Sequence, residues 1–107
     1  MQLEQELDTL KLYVDVESLR FQNKFDFNVT VDPTLNLSEI FTPPLILQPF
    51  IENAIWHGLM HLDRRGLLSI DIADKEKSII ITIEDNVIGR KKSLELKKTQ
   101  SRKRKSY

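Results

Sequence analysis

The chain has 107 residues, which limits it to one domain with a modest hydrophobic core. It contains no cysteine, so disulfides and thiolate metal sites are excluded. No apolar run approaches the roughly 18–20 residues of a membrane-spanning helix, and the acidic, amphipathic start predicts no signal peptide. The net charge of zero divides unevenly: residues 90–107 hold nine Lys or Arg against one acid, giving +8, and the residues before them carry −8.

The N-terminal segment, residues 1–23, has apolar side chains at the spacing of an amphipathic helix. Leu3, Leu7, Leu10 and Val14 are separated by four, three and four residues, which is close to a heptad seam. Such a helix packs either against a partner helix or against the core of its own domain. The sequence leaves both alternatives open.

Three segments have the patterns of β-strands. In "KFDFNVTVDP" apolar and polar residues alternate, which predicts a half-buried strand that ends at Asp32-Pro33. "LLSIDIAD" and "SIIITIED" are separated only by "KEK", which indicates an antiparallel hairpin. The order helix, strand, helix, hairpin predicts an α/β fold: a two-layer sandwich of a mixed, mostly antiparallel sheet backed by helices.

The segment "TPPLILQPFIENAIWHGLM" is predicted to form the central helix. Thr42 is a suitable N-cap, and Pro49 is tolerated only if it falls in the first helical turn. The residues after Arg90 are predicted to form a basic tail, which either is solvated or contacts nucleic acid or an anionic membrane surface. They include only one aromatic residue, Tyr107, whereas single-stranded nucleic-acid sites use several, so we expect no nucleic-acid partner.

Three polar residues interrupt the apolar pattern of this central helix. Asn53 and His57 are four residues apart and therefore share one helix face. The Asn53 oxygen suits Mg²⁺, and Glu52 can orient or deprotonate a nucleophile. The alternative is that Asn53 caps a neighbouring loop and Glu52 is merely exposed. His57 and His61 also have a spacing compatible with zinc, but no third ligand lies at a credible distance along the chain.

The sequence "EDNVIG" follows the last predicted strand. A carboxylate at a strand end, Asp85, can accept a hydrogen bond from the exocyclic amine of a base, and Gly89 allows the backbone to approach a ligand closely. The alternative is an ordinary turn stabilised by the Asp-Asn side chains.

Together, "QPFIENAIWHG" and "IEDNVIGRKK" resemble the ATP-binding domain of sensor histidine kinases, a Bergerat-fold (GHKL, HATPase) domain. The resemblance is strongest to the LytS-like branch, whose members read "QPxxENAxxHG" and then "DNGxG". It implies a helix in residues 1–23 that links to a dimerisation and phosphoacceptor domain, a partial ATP-binding domain in residues 24–90, and a basic tail in residues 91–107 at the start of the nucleotide lid.

The resemblance also implies a role for each candidate residue, with ATP and Mg²⁺ as cofactors. Asn53 would hold Mg²⁺ at the phosphates, Glu52 would be the catalytic general base or orienting group, and His57 would lie near the phosphates. Asp85 would bind the adenine amino group, and Gly89 would let the loop pass close to the nucleotide. In phosphoryl transfer the protein contributes mainly positioning and charge neutralisation.

The chain departs from the family pattern in ways that leave its enzyme activity open. Val87 stands where the family has glycine, and a β-branched residue is disfavoured at positive φ. The chain reaches Tyr107 before the family's second glycine motif, and no residue matches the phosphoacceptor histidine. A degenerate, non-catalytic dimerisation or interaction module derived from the same fold is the alternative function.

The resemblance implies a set of partners for the intact protein, a phosphoprotein of a two-component signal-transduction system. They are ATP or ADP, a response regulator, and a second copy of the chain. The second copy is expected to bind through the N-terminal helix or through an open sheet edge beside "SIIITIED". The expected location is the cytoplasm, at the cytoplasmic face of the bacterial inner membrane.

Overall fold

The computed structural model describes residues 1–20, 25–57, 65–85 and 91–97. The elements in chain order are helix α1 (Leu3–Arg20), strand β1 (Phe25–Val31), a short 3-10 helix (Leu37–Glu39), helix α2 (Gln48–His57), and strands β2 (Gly66–Lys75), β3 (Ser78–Asp85) and β4 (Lys91–Lys97). Neither helix in these ranges has the length and apolarity needed to cross a membrane.

The four strands form one mixed sheet in the order β1-β2-β3-β4. Strands β1 and β2 are parallel, and their connection passes through the 3-10 helix and α2, as a parallel crossover requires. The β2–β3 and β3–β4 pairs are antiparallel. Both helices share one hydrophobic core with the sheet. The predicted α/β class, a mixed and mostly antiparallel sheet backed by helices, is therefore confirmed.

Helix α1 packs against the core of its own domain. Leu3, Leu7, Leu10 and Val14 are each at most 3% exposed, and they belong to the same buried cluster as the apolar residues of α2 and the sheet. The heptad-like spacing left open whether this face packs against a partner helix or against its own domain. The structure shows that it packs against its own domain.

The predicted strand ends and hairpin are confirmed. Strand β1 ends at Val31, and the backbone N–H of Thr34 donates to Asp32 Oδ1 at 2.9 Å. Hydrogen bonds from the Thr34 backbone and hydroxyl hold the pKa of Asp32 below its usual value. In the hairpin, Lys75 pairs with Ser78, and Glu76 in the connecting turn has a positive φ of 60°.

The predicted start of the central helix is wrong. Helix α2 begins at Gln48, so Thr42 is not its N-cap, and Pro49 lies in the first turn as required. The reason is a residue from another element: Glu6 of α1, 1% exposed, accepts a hydrogen bond from the Leu47 backbone N–H at 2.5 Å and one from the Thr42 hydroxyl at 3.2 Å. A carboxylate at a helix N-terminus satisfies an amide that lacks a partner within the helix.

The interpretation of the residues after Arg90 as a basic tail is wrong for residues 91–97. These residues form β4, which pairs with β3 from Glu84↔Lys91 to Ser78↔Lys97. Strand β3 is consequently an inner strand, and the predicted open edge beside "SIIITIED" is also wrong. Among the described strands, the outer edges of the sheet belong to β1 and β4. Residues 98–107 lie outside the described part of the chain.

Candidate functional site

A cavity of about 390 Å³ lies between helix α2 and the end of the sheet formed by β3 and β4. Helix α2 contributes Phe50, Asn53 and Ala54, and the sheet contributes Ile83 and Asp85 from β3 and Lys91 and Lys92 from β4. The volume falls in the range of small-molecule sites, which are typically about 300–1,000 Å³. Two residues predicted from different sequence motifs, Asn53 and Asp85, thus line one pocket.

Asp85 is the buried polar group of this pocket. It is the last residue of β3 and is 3% exposed, on the same face of the strand as Ile83. A buried carboxylate is stable when its oxygens accept hydrogen bonds. Its position at the strand end, with an apolar wall beside it, suits recognition of an amine on a flat ring.

The three candidate residues of α2, Glu52, Asn53 and His57, occupy different positions relative to the pocket. Asn53 is exposed and lines the cavity. Glu52 is half-buried on the side of α2 that faces α1. Its charge acts on Tyr13 of α1: burial is the main cause that raises the pKa of Tyr13, and the negative charge of Glu52 raises it further by a smaller amount. His57 is the last residue of α2, one turn beyond Asn53, and only its backbone is described.

The remaining predicted residues lie outside the described part of the chain. Gly89 and Val87 both fall within residues 86–90. The role predicted for Gly89, and the effect of valine in place of glycine, therefore stay predictions. His61 of the rejected zinc pair also lies outside the described residues.

Phe50 and Lys92 are among the pocket residues that the sequence motifs do not mark. Lys92 Nζ lies 5.5 Å from the centroid of the Phe50 ring, within the range of a cation–π contact. The basic character of residues 90–107 favours a tail, which conceals that three of these lysines, Lys91, Lys92 and Lys97, are part of a strand. The alternation of Leu94 and Leu96 with polar residues was the available signal for this strand.

The C-terminal halves of α1 and α2 are held together by aromatic and charged side chains. The Trp56 indole donates a hydrogen bond to Tyr13, and the Arg20 guanidinium lies 5.4 Å from the centre of the Trp56 ring. Arg20 also contacts Glu17 at 3.2 Å. Together with Glu6 at its start, these contacts fix α2, and hence Asn53, relative to α1.

A second cavity of about 470 Å³ lies between α1 and β1. Its lining includes Lys11, Asp15, Asp26 and Arg65, of which Asp26 and Arg65 form an ion pair at 2.6 Å. The Arg65 hydrogen bonds hold the pKa of Asp26 below its usual value. Of the motif residues that the structure describes, none lines this cavity. Within the described ranges, no group of three His, Cys, Asp or Glu side chains is placed to hold a metal ion.

The described part of the chain is a two-layer α/β fold, consistent with part of a GHKL-type ATPase domain, with Asn53 and Asp85 in one pocket. The chain is similar to several sensor histidine kinases. Sensor protein LytS of Oceanobacillus iheyensis is 36% identical over 87 residues, which is 81% of this chain and 14% of that protein. Sensor histidine kinase BtsS of Escherichia coli K12 is 31% identical over 84 residues, 78% of this chain and 15% of that protein.

A third relative, sensor histidine kinase YpdA of Escherichia coli K12, is 30% identical over 87 residues. No family model matches the chain. The homologues of this chain are thus sensor histidine kinases, and the chain spans 14–15% of the length of these curated relatives.

Proposed function

We propose that the chain is a fragment of the catalytic ATP-binding domain of a sensor histidine kinase and that the cavity between α2 and β3 binds the nucleotide. The observation that carries the proposal is that Asn53 and Asp85, 32 residues apart in sequence, line the same cavity of about 390 Å³. The homology to sensor histidine kinases over about four-fifths of the chain supports it.

The residues of the pocket fit an adenine nucleotide with Mg²⁺. The buried Asp85 carboxylate accepts a hydrogen bond from the 6-amino group of adenine, and Phe50, Ala54 and Ile83 supply apolar surface for the ring. The Asn53 side-chain oxygen is a hard ligand, and Mg²⁺ needs few protein ligands because phosphates and water complete its shell. When bound, Mg²⁺ neutralises charge on the phosphate oxygens.

In the intact kinase, this site would donate the γ-phosphate of ATP to a histidine, from which a response regulator would receive it. Glu52, next to Asn53 on α2, is the proposed general base, although in the structure it lies on the side of α2 that faces α1 and does not line the described cavity. His57 and Gly89 are proposed to lie near the phosphates and along the nucleotide. The intact protein is proposed to act at the cytoplasmic face of the bacterial inner membrane.

The test of the base-recognition role compares ATP with ITP, which has an oxo group in place of the 6-amino group. A hydrogen bond to a charged group contributes about 1.5–3 kcal/mol, so we expect ATP to bind about 10- to 100-fold more tightly than ITP. Asp85→Asn should reduce this preference to within about threefold. Glu84→Gln, at the exposed neighbouring position of β3, is the matched control and should leave the preference unchanged.

Titration calorimetry measures all six affinities, those of ATP and ITP for the unaltered chain, for Asp85→Asn and for Glu84→Gln. Equal binding of ATP and ITP by the unaltered chain would refute the role of Asp85. The same titration with Val87→Gly tests the departure from the family pattern: tighter ATP binding by this variant would show that valine impairs the loop.

A second function, a non-catalytic dimerisation or interaction module, is favoured by the exposed face of α1. Leu12, Val16 and Leu19 are 68%, 56% and 73% exposed and follow one another at spacings of four and three residues. This reading predicts concentration-dependent association in light scattering, weakened by Val16→Glu but not by Asp15→Lys, together with no nucleotide binding. A monomer that binds ATP would refute it.

A further inference from the structure

We infer that Lys92 is the side chain that binds the anionic part of the ligand in the pocket between α2 and β3. This inference rests on the proposed function and extends it, because neither sequence motif includes Lys92. The positive charge of Lys92 would make the pocket bind a phosphorylated nucleoside more tightly than the nucleoside alone.

The strand register places Lys92 on the pocket side of the sheet. Lys92 pairs with Ile83, and directly paired residues of antiparallel strands project to the same face. Ile83 is 4% exposed and lines the pocket. Asp85 is two residues further along β3, so it is a diagonal neighbour of Lys92 on the same face, with about 7–8 Å between the Cα atoms. The Asp85 carboxylate, a hydrogen-bond acceptor, and the Lys92 ammonium, a cation, therefore lie on the same wall of the pocket.

The contact that Lys92 makes with Phe50 is weak enough for the ammonium to leave the ring and bind an anion. Its ammonium lies 5.5 Å from the Phe50 ring centroid, and Phe50 also lines the pocket. A cation–π contact at an exposed site is weak, whereas hydrogen bonds between an ammonium and a phosphate are charge-assisted and strong. Because the lysine stem is flexible, the ammonium can exchange the ring for a phosphate oxygen without movement of the strand.

The other lysines of β4 are less suited to this role. Lys91 pairs with Glu84 and is exposed, so by the alternation of the strand it leaves the sheet on the face opposite to Lys92, although it also contributes to the pocket lining. Lys97 pairs with Ser78 at the far end of the strand and does not line the cavity. Lys97 therefore offers a control with the same change of charge on the same strand.

The experiment measures the affinities of adenosine and ADP by titration calorimetry for the full 107-residue chain. We expect Lys92→Gln to weaken ADP binding about tenfold, because one charge-assisted contact is lost, and to change adenosine binding less than twofold. Lys97→Gln should alter neither affinity. Lys92→Arg should retain most of the ADP affinity, because it keeps the charge. Raising the salt concentration should weaken ADP binding more in the unaltered chain than in Lys92→Gln.

The inference alone would be overturned by an ADP affinity that is unchanged in Lys92→Gln, or that is reduced equally by Lys92→Gln and Lys97→Gln. A parallel loss of adenosine affinity would also overturn it, since it would indicate damage to the pocket. If Lys92→Gln fails to fold, the test is the salt dependence of ADP binding in the unaltered chain and in Lys92→Arg. An ADP affinity that does not change with salt concentration in either protein would then overturn the inference. Absence of binding of both adenosine and ADP by the unaltered chain would refute the proposed function, and the inference with it.

Discussion

Removal of the Glu6 carboxylate is expected to destabilise the chain strongly, because this side chain caps the helix that bears the candidate site. Glu6 is 1% exposed and accepts hydrogen bonds from the Leu47 amide, immediately before α2, and from the Thr42 hydroxyl. Leu47 itself is fully buried. In Glu6→Ala, both donors lose their carboxylate partner in a buried part of the structure.

The magnitude follows from these contacts. Leaving a buried amide without a partner costs about 1–3 kcal/mol, and loss of an N-terminal cap typically costs about 1 kcal/mol. The unpartnered amide and the lost cap both refer to the Leu47 N–H, so these two costs are not added in full. The lost contact with the Thr42 hydroxyl is an additional cost, and we therefore expect the free energy of unfolding to fall by roughly 2–4 kcal/mol. This is a large part of the roughly 5–15 kcal/mol that stabilises a typical domain.

Urea unfolding followed by circular dichroism measures the change in the free energy of unfolding. Asp8→Ala is the matched control, because Asp8 is an exposed acid on the same helix, and it should change stability by at most about 0.5 kcal/mol. Glu6→Gln should fall between the control and Glu6→Ala, because it keeps one acceptor oxygen. A loss below about 0.5 kcal/mol in Glu6→Ala would contradict the capping role.

Three further perturbations test other parts of the structure. Glu76→Gly should raise the free energy of unfolding by about 1 kcal/mol in urea, because φ at this residue is positive; a loss of stability would contradict this. Arg20→Ala should cost about 0.5–1 kcal/mol and change the emission of Trp56, the only tryptophan; an unchanged spectrum would argue against the contact. The lowered pKa of Asp26, caused by its hydrogen bonds with Arg65, stabilises the fold above pH 3.8, and the effect is lost as the pH falls through the lower folded-state pKa. Scanning calorimetry between pH 5 and 2 should therefore show that Asp26→Asn loses less thermal stability on acidification than the unaltered chain does. Parallel stability profiles of the two proteins would refute this role of the ion pair.

The two helices show which parts of the fold the sequence predicts. The apolar residues of α1 recur at helical spacing, so the face that is buried could be predicted from periodicity alone. The start of α2 could not, because its cap comes from Glu6, 41 residues earlier in the chain. A local cap at Thr42 satisfied the sequence rules equally well, and only tertiary packing excludes it.

Strand β4 shows the limit of composition as a guide. Residues 91–97 contain Lys91, Lys92 and Lys97, which favour an exposed segment, yet the segment pairs along its length with the isoleucine-rich β3. Strand formation depends on the neighbouring strand more than on intrinsic preference. Charged side chains are also common on edge strands, where they oppose association with other chains.

The candidate site was only partly predictable for the same reason. The motifs that contain Asn53 and Asp85 marked both residues, and the fold brings them to one pocket. The motifs did not mark Phe50 and Lys92, because Phe50 reads as an ordinary core residue of a helix and Lys92 as one of many basic residues. Their relation depends on the β3–β4 register, which no local pattern specifies.

The most direct test of nucleotide binding in this pocket is a titration of the ¹⁵N-labelled chain with Mg-ATP, followed by NMR. A chain of 12.5 kDa is well suited to this measurement, which also detects weak binding. Saturable shifts should concentrate on Gln48–His57, Asp85 and Lys92. Absence of saturable shifts, or shifts confined to the cavity between α1 and β1 around Lys11 and Arg65, would contradict the proposed site.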